Sequence, residues 1–196
     1  MVAGRALRIA RPRDSEALID EERFQDDEFM PYWAELWPSS RALAELVSAR
    51  SLRGARTVEL GCGLGLVSVA AVLAGGRVTA NDWSAESLRF AERNAALNGM
   101  QLETVLCDWA QPAPLLERAP WDLILASDVL YEARTCELLA DLLPQLGREA
   151  LVADPDRITS GYFLELIEGR LECRTTTRRI GGVTVSIHRL TPAPSG

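Results

Sequence analysis

From Thr57 onward the chain alternates short apolar or β-branched runs with amphipathic stretches, and this alternation restricts the fold more than any other feature. The runs RTVEL, RVTAN, LETVLC, WDLILAS and EALVAD have the length and composition of strands. Between them, LVSVAAVLAG, SAESLRFAERNAALNG and EARTCELLADLLPQL carry apolar residues at three-to-four spacing, which predicts helices. The second has Ser84 placed as an N-cap and Gly99 placed to stop it. Strands that alternate with helices are joined by crossovers, so they build a parallel sheet with helices on both faces. LECRTTTRRI and VTVSIHRL then flank a Gly-Gly pair, a hairpin signal. The expected class is α/β: a doubly wound, mostly parallel seven-stranded sheet with a C-terminal antiparallel hairpin and helices on both faces.

At 196 residues the chain fits one domain with a full core. The alternating pattern fills residues 53–196, which read as that domain. Residues 1–52 read as an N-terminal extension covering it: a candidate strand ALRIA, the acidic run DEERFQDDE, then FMPYWAELWPSSRALAELVSA. This last part should become helical after Pro38, with Ser39 and Ser40 near the cap. The tail TPAPSG should fray. No apolar run approaches the roughly 20 residues of a membrane span, and the N-terminus lacks the apolar core of a secretory signal. No membrane partner and a cytoplasmic location are the expectations.

A net charge of −7 argues against a nucleic-acid partner, which wants a clustered positive surface. The best basic cluster, CRTTTRR, reads as a solvated sheet edge. Cys62, Cys107, Cys136 and Cys173 are far apart and form neither a zinc pattern nor a redox pair, so no metal is expected. The one histidine, His188, reads as a strand residue. All basic residues are arginine, so no lysine chemistry can run on the chain's own side chains.

The turn after the first run of the alternating pattern is E-L-G-C-G-L-G, Glu59 to Gly65. A dinucleotide fingerprint needs a third glycine where this chain has Leu66, and a phosphate-binding Walker loop needs a terminal Gly-Lys. Both fail. The remaining readings are a tight strand-to-helix turn and a loop that lets a ligand approach the backbone closely. Asp82 ends the second run, where a ribose hydroxyl pair would be bound, and Trp83 beside it can stack on adenine. Asp108 and Trp109 stand after the third run, as an acceptor for the adenine amino group and a second aromatic wall. Singly, each is a loop acid or a core aromatic. Together, each after its own strand, they describe an adenosine site.

E-x-G-x-G-x-G resembles the first motif of the class I S-adenosylmethionine-dependent methyltransferases. The chain's Asp128-Val129-Leu130-Tyr131 matches the D-x-x-Y motif of the seven-strand protein-lysine methyltransferases. PYWAELWPSSRALAEL, RNAALNG and ADPDR resemble the branch that includes the electron-transfer flavoprotein β-subunit lysine methyltransferases. That branch often has Gly-Gly where Ser39-Ser40 stand here. The resemblance implies a Rossmann-like sheet, S-adenosyl-L-methionine as cofactor, and a protein lysine as the methyl acceptor. It places Trp37, Glu59, Gly61, Cys62, Gly63, Gly65, Asn81, Asp82, Trp83, Cys107, Asp108, Trp109 and Ser127 at the cofactor, with Tyr32 and Trp33 closing the pocket.

Asp128 and Tyr131 are then the catalytic candidates. The aspartate would hold the amine, and the tyrosine would supply a phenolic oxygen and an aromatic wall for the cationic centre. Their plain alternatives are a helix N-cap for Asp128 and a core aromatic for Tyr131. A small-molecule N- or O-methyltransferase, a cofactor-binding protein without catalysis and a Rossmann oxidoreductase stay open as rivals. The target protein, the degree of methylation and the oligomeric state are not written in the sequence.

Overall fold

The computed structural model describes residues 4–13 and 32–193. DEERFQDDE and the end of TPAPSG lie outside the described residues. A 3-10 turn at Tyr32–Ala34 leads into α1 (Pro38–Ser48). There follow β1 (Arg56–Leu60), α2 (Leu66–Leu73), β2 (Arg77–Asp82), α3 (Ala85–Leu97), β3 (Glu103–Leu106) and the single turn α4 (Ala113–Leu116). Then come β4 (Leu123–Ser127), α5 (Ala133–Leu146), β5 (Ala150–Asp154), α6 (Ile158–Ile167), β6 (Leu171–Ile180) and β7 (Val183–Pro192). Neither α4 nor α6 was expected from the sequence pattern. Among the described residues no helix is long and apolar enough to cross a membrane.

The seven strands lie in the order β3-β2-β1-β4-β5-β7-β6. β1 to β5 are parallel and β7 runs antiparallel to both β5 and β6, as the alternation and the Gly-Gly pair require. Period-two alternation separates two cores. Leu123 and Leu125 of β4, with Leu151 and Ala153 of β5, face α1 and α2. Ile124 and Ala126, with Ala150 and Val152, face α5 and α6. The strand order reverses between β1 and β4, and in open α/β sheets ligands bind beyond the strand ends at that switch.

The basic cluster lies on β6, an edge strand exposed along nearly its whole length. His188 is buried on β7, 2.9 Å through Nδ1 from Thr175 Oγ1, and burial holds its pKa below the ordinary value. Ser84 caps α3 by accepting from Ser87 N–H, and Gly99 follows that helix with φ 76°.

ALRIA is no strand of the sheet. Arg8 N–H donates to Asn98 Oδ1 at 3.0 Å and Asn98 Nδ2 returns to Arg8 O at 2.8 Å. Ala10 N–H donates to Asn94 Oδ1 at 2.7 Å and Asn94 Nδ2 returns at 2.9 Å. Alternate residues of an extended chain are about 6.6 Å apart, and successive helical turns about 6 Å. Asn94 on α3 and Asn98 at its C-cap, one turn apart, therefore imitate the edge of a strand. This is the role of the two asparagines in RNAALNG.

Asn98→Ala should cost about 1–2 kcal/mol in urea unfolding, since it strips partners from a half-buried segment. The Arg8 amide should lose its hydrogen-exchange protection at the same time. A still-protected Arg8 amide would mean that something else holds the segment.

Candidate active site

The turn from β1 into α2 closes on backbone that only glycine adopts freely. Gly61 has φ 65°, and a Cβ there would lie 2.9 Å from Val129 Cγ1. Gly65 has φ 76° and caps α2; its Cβ would meet Ala91 Cβ at 2.7 Å. The third glycine spaces the helix against α3 rather than facing a ligand. Gly63 N–H points at Asp82 Oδ2, 3.0 Å away.

Asp82 is a hub. Its Oδ2 also accepts from Ser87 Oγ at 2.8 Å, while Oδ1 takes Ser84 N–H at 3.0 Å. Burial pushes its carboxyl above the usual range, and these hydrogen bonds pull the other way. Glu59 is wholly buried, and one of its oxygens accepts both Ser68 N–H and Ser68 Oγ–H at the start of α2. Burial raises its pKa from 4.5 to about 8. Asn81 donates to the carbonyls of Val105 and Cys107 at 3.1 and 3.0 Å, and its Oδ1 accepts from Trp109 Nε1 at 2.9 Å. Glu59, Gly65 and Asn81 thus lie behind the site, holding the loop, α2 and the Trp109 ring in place.

The other residues expected at the site converge on one cavity over the strand ends. Trp37, Gly61, Cys62, Gly63, Asp82, Trp83, Cys107, Asp108, Trp109, Ser127, Asp128 and Tyr131 all line it. Asp108 Oδ1 accepts Ala110 N–H at 2.9 Å, which fixes the carboxylate at the rim. Tyr32 and Trp33 line the same cavity, and the Trp33 ring also packs on Phe90, with centroids 5.6 Å apart.

At the end of β4 the chain turns through Asp128, whose φ of 60° is left-handed. Holding a non-glycine residue there costs on the order of 1–3 kcal/mol, so the surroundings must enforce it. Asp128 is not a helix cap: Glu132 caps α5, in a capping box with Thr135. Its Oδ1 is ion-paired with Arg157 Nη1, and its buried Oδ2 has no hydrogen-bond partner. Arg157 also pairs with Asp154 Oδ2 at 3.0 Å and lies over the Trp37 ring, 6.0 Å from its centroid. Burial works against its charge, yet the two carboxylates hold the guanidinium pKa above its ordinary value. The Tyr131 ring is 5.2 Å from that of Tyr32. Burial raises the Tyr131 pKa to about 12, so the residue works as a neutral phenol.

These features match a known family. A model described as "Lysine methyltransferase" fits residues 23–160. The chain belongs to that family of S-adenosylmethionine-dependent enzymes. It is 34% identical over 134 residues to the electron transfer flavoprotein beta subunit lysine methyltransferase of Xenopus laevis, covering 65% of this chain and 53% of the relative. Against protein N-lysine methyltransferase METTL21A of Mus musculus it is 35% identical over 121 residues, covering 58% and 54%. The chain spans about half the length of these relatives. The magnesium protoporphyrin IX methyltransferase of Synechocystis, solved with bound S-adenosylmethionine, shares the fold, with a TM-score of 0.62 at 19% identity over 79% of each chain.

Nothing in the spacing of ADPDR assigns Arg157 to the site; only the fold brings it back across the strand ends to Asp128. The Glu59 titration has a direct consequence. Unfolded, the residue ionises near 4.5; folded, it keeps its proton to about 8. Folding therefore takes up a proton between those values, and this contribution to stability falls as pH rises. Glu59→Gln should gain stability relative to the parent between pH 5 and pH 8, read from urea midpoints. An unchanged difference would mean that Glu59 is ionised in the fold.

Proposed function

We propose that this chain transfers a methyl group from S-adenosylmethionine to the side-chain amine of a lysine in another protein. The observation that carries the reading is Asp128: a carboxylate on the cavity wall with one oxygen neutralised by Arg157 and the other left without a partner. A buried acceptor without a donor is costly in a finished core. It suits a group that arrives with N–H bonds.

The residues present fit the methyl donor. Gly61 and Gly63 line the cavity where its amino-acid end would lie, Trp83 and Trp109 offer walls for adenine, and Asp108 stands at the rim for the adenine amino group. The ribose is assigned to Asp82 through Oδ1, which takes Ser84 N–H. When bound, S-adenosylmethionine supplies a methyl on a sulfonium, open to in-line displacement by a neutral amine.

Asp128 Oδ2 accepts an N–H of the incoming lysine, orients its lone pair and stabilises the positive charge that grows on nitrogen. Tyr131, neutral and ring-packed on Tyr32, adds an aromatic wall for that charge. Together with Trp37, these rings keep water from the reacting atoms. The work is positioning and exclusion, with no imidazole base required.

Calorimetry with S-adenosylhomocysteine should show binding that Asp82→Ala weakens by roughly tenfold or more. Labelled methyl donor added to a lysate should mark a protein band, and Asp128→Ala should lower that label by roughly a hundredfold. Label confined to small molecules would replace the protein acceptor with a metabolite, and no turnover in any fraction would remove the catalytic reading. The chain contains no lysine, so it cannot contribute a side-chain lysine signal of its own.

A further inference from the structure

Acids at the ends of three strands share one arrangement. Glu59 of β1, Asp82 of β2 and Asp154 of β5 each accept the hydroxyl of a serine at the third position of the helix that follows: Ser68, Ser87 and Ser160. These carboxylates tie strand to helix. Asp128, after β4, departs from the pattern. The equivalent position of α5 is Thr135, whose hydroxyl is engaged with Glu132 in the cap. Asp128 has Arg157 instead.

Arg157 is built to stay where it is. Its backbone N–H donates to Asp154 Oδ1 at 2.8 Å, and its Nη1 reaches Asp154 Oδ2 at 3.0 Å. Asp156, with φ 58°, makes the sharp return that lets one residue contact Asp154 through both backbone and side chain. The neighbouring Thr159 hydroxyl donates to Leu130 O, tying α6 to the Asp128–Tyr131 turn. A guanidinium meant to leave as a gate would not be anchored by backbone, by a fully buried carboxylate and by an indole face together.

We infer that Arg157 is a positioning residue for methyl transfer: by taking Oδ1 of Asp128 it holds the left-handed turn and leaves Oδ2 as the single acceptor for the substrate amine. This rests on the reading of Asp128 proposed above. Two carboxylates share one cation, so the Asp154–Arg157–Asp128 group keeps one net negative charge, and Oδ2 is its one oxygen without a donor. Such an arrangement favours an acceptor that donates a hydrogen bond, and it stabilises the positive charge that develops on the acceptor's nitrogen. It also gives the arginine of ADPDR a task beyond starting α6.

The test is a double-mutant cycle on the labelled protein band with Arg157→Gln, Asp128→Asn and their combination, plus Arg157→Lys. Arg157→Gln should lower kcat by about tenfold or more with KM for the acceptor changing less, and S-adenosylhomocysteine affinity should stay within about twofold. Arg157→Lys should recover part of kcat. In the Asp128→Asn background, Arg157→Gln should cost less than about twofold further. Independent, multiplying losses, or an unchanged kcat in Arg157→Gln, would overturn the inference. A crystal structure of Arg157→Gln with S-adenosylhomocysteine decides the matter without turnover. Asp128 should leave its left-handed conformation or turn its carboxylate, and an unmoved Asp128 would also overturn the inference. A parent protein that labels no band would defeat the proposed function while leaving this structural outcome readable.

Discussion

The left-handed backbone at Gly61 and Gly65 is the constraint on which the site depends. It lets the chain leave β1, pass within contact of Val129 on the far side of the switch point, and enter α2 against Ala91 of α3. A side chain at either position would push the loop away from β4 or from α3. The loop is also where the polar network meets. Gly63 N–H is held by Asp82, the Ser87 hydroxyl shares its one proton between Asp82 Oδ2 and Gly63 O, and Leu64 O is held by Asn94. Through Asn94 the same network reaches Ala10, so the N-terminal segment, α3 and the glycine loop form one hydrogen-bonded body.

The buried acids divide by partner. Where a following helix offers a hydroxyl at its third position, the acid is satisfied and its job is joining strand to helix. At β4 no such hydroxyl is free, the turn is strained, and the acid keeps an oxygen without a donor. Natural cores rarely leave an acceptor in that state. Among the described residues Ser39 Oγ, Trp121 Nε1 and His188 Nε2 are also buried without a partner, but Asp128 alone of the four lines the cavity, and that combination is what the proposed reading rests on.

The architecture was legible because the alternation of period-two and helical patterns is a local signal, and the strands fell where those patterns lay. α4 and α6 were missed for opposite reasons. α4 is a single turn, too short for any periodicity, and α6 carries apolar residues around most of its circumference. ALRIA has a strand's composition, yet it pairs with side chains of a helix, an arrangement that residue propensities do not encode. Of the residues expected at the cofactor, Glu59, Gly65 and Asn81 proved to stand behind the cavity. Motif spacing locates a strand end but does not tell which way Glu59 and Asn81 point from the pleat, nor that Gly65 abuts Ala91 of α3.

Arg157 shows where sequence reading stops. It is 29 residues from Asp128 along the chain, and nothing in the spacing joins them. Their meeting requires β4 and β5 to be neighbours in register and the turn after β5 to double back through Asp156. In the reading proposed for Asp128, the consequence of that meeting is electrostatic. A carboxylate with both oxygens exposed would accept a donor from many directions. One whose other oxygen is held by a guanidinium offers a single acceptor atom, and in-line transfer needs the nucleophile's lone pair aimed along one line. In that reading the left-handed turn at Asp128 and the anchoring of Arg157 serve one requirement, a buried charge aimed by its counter-ion.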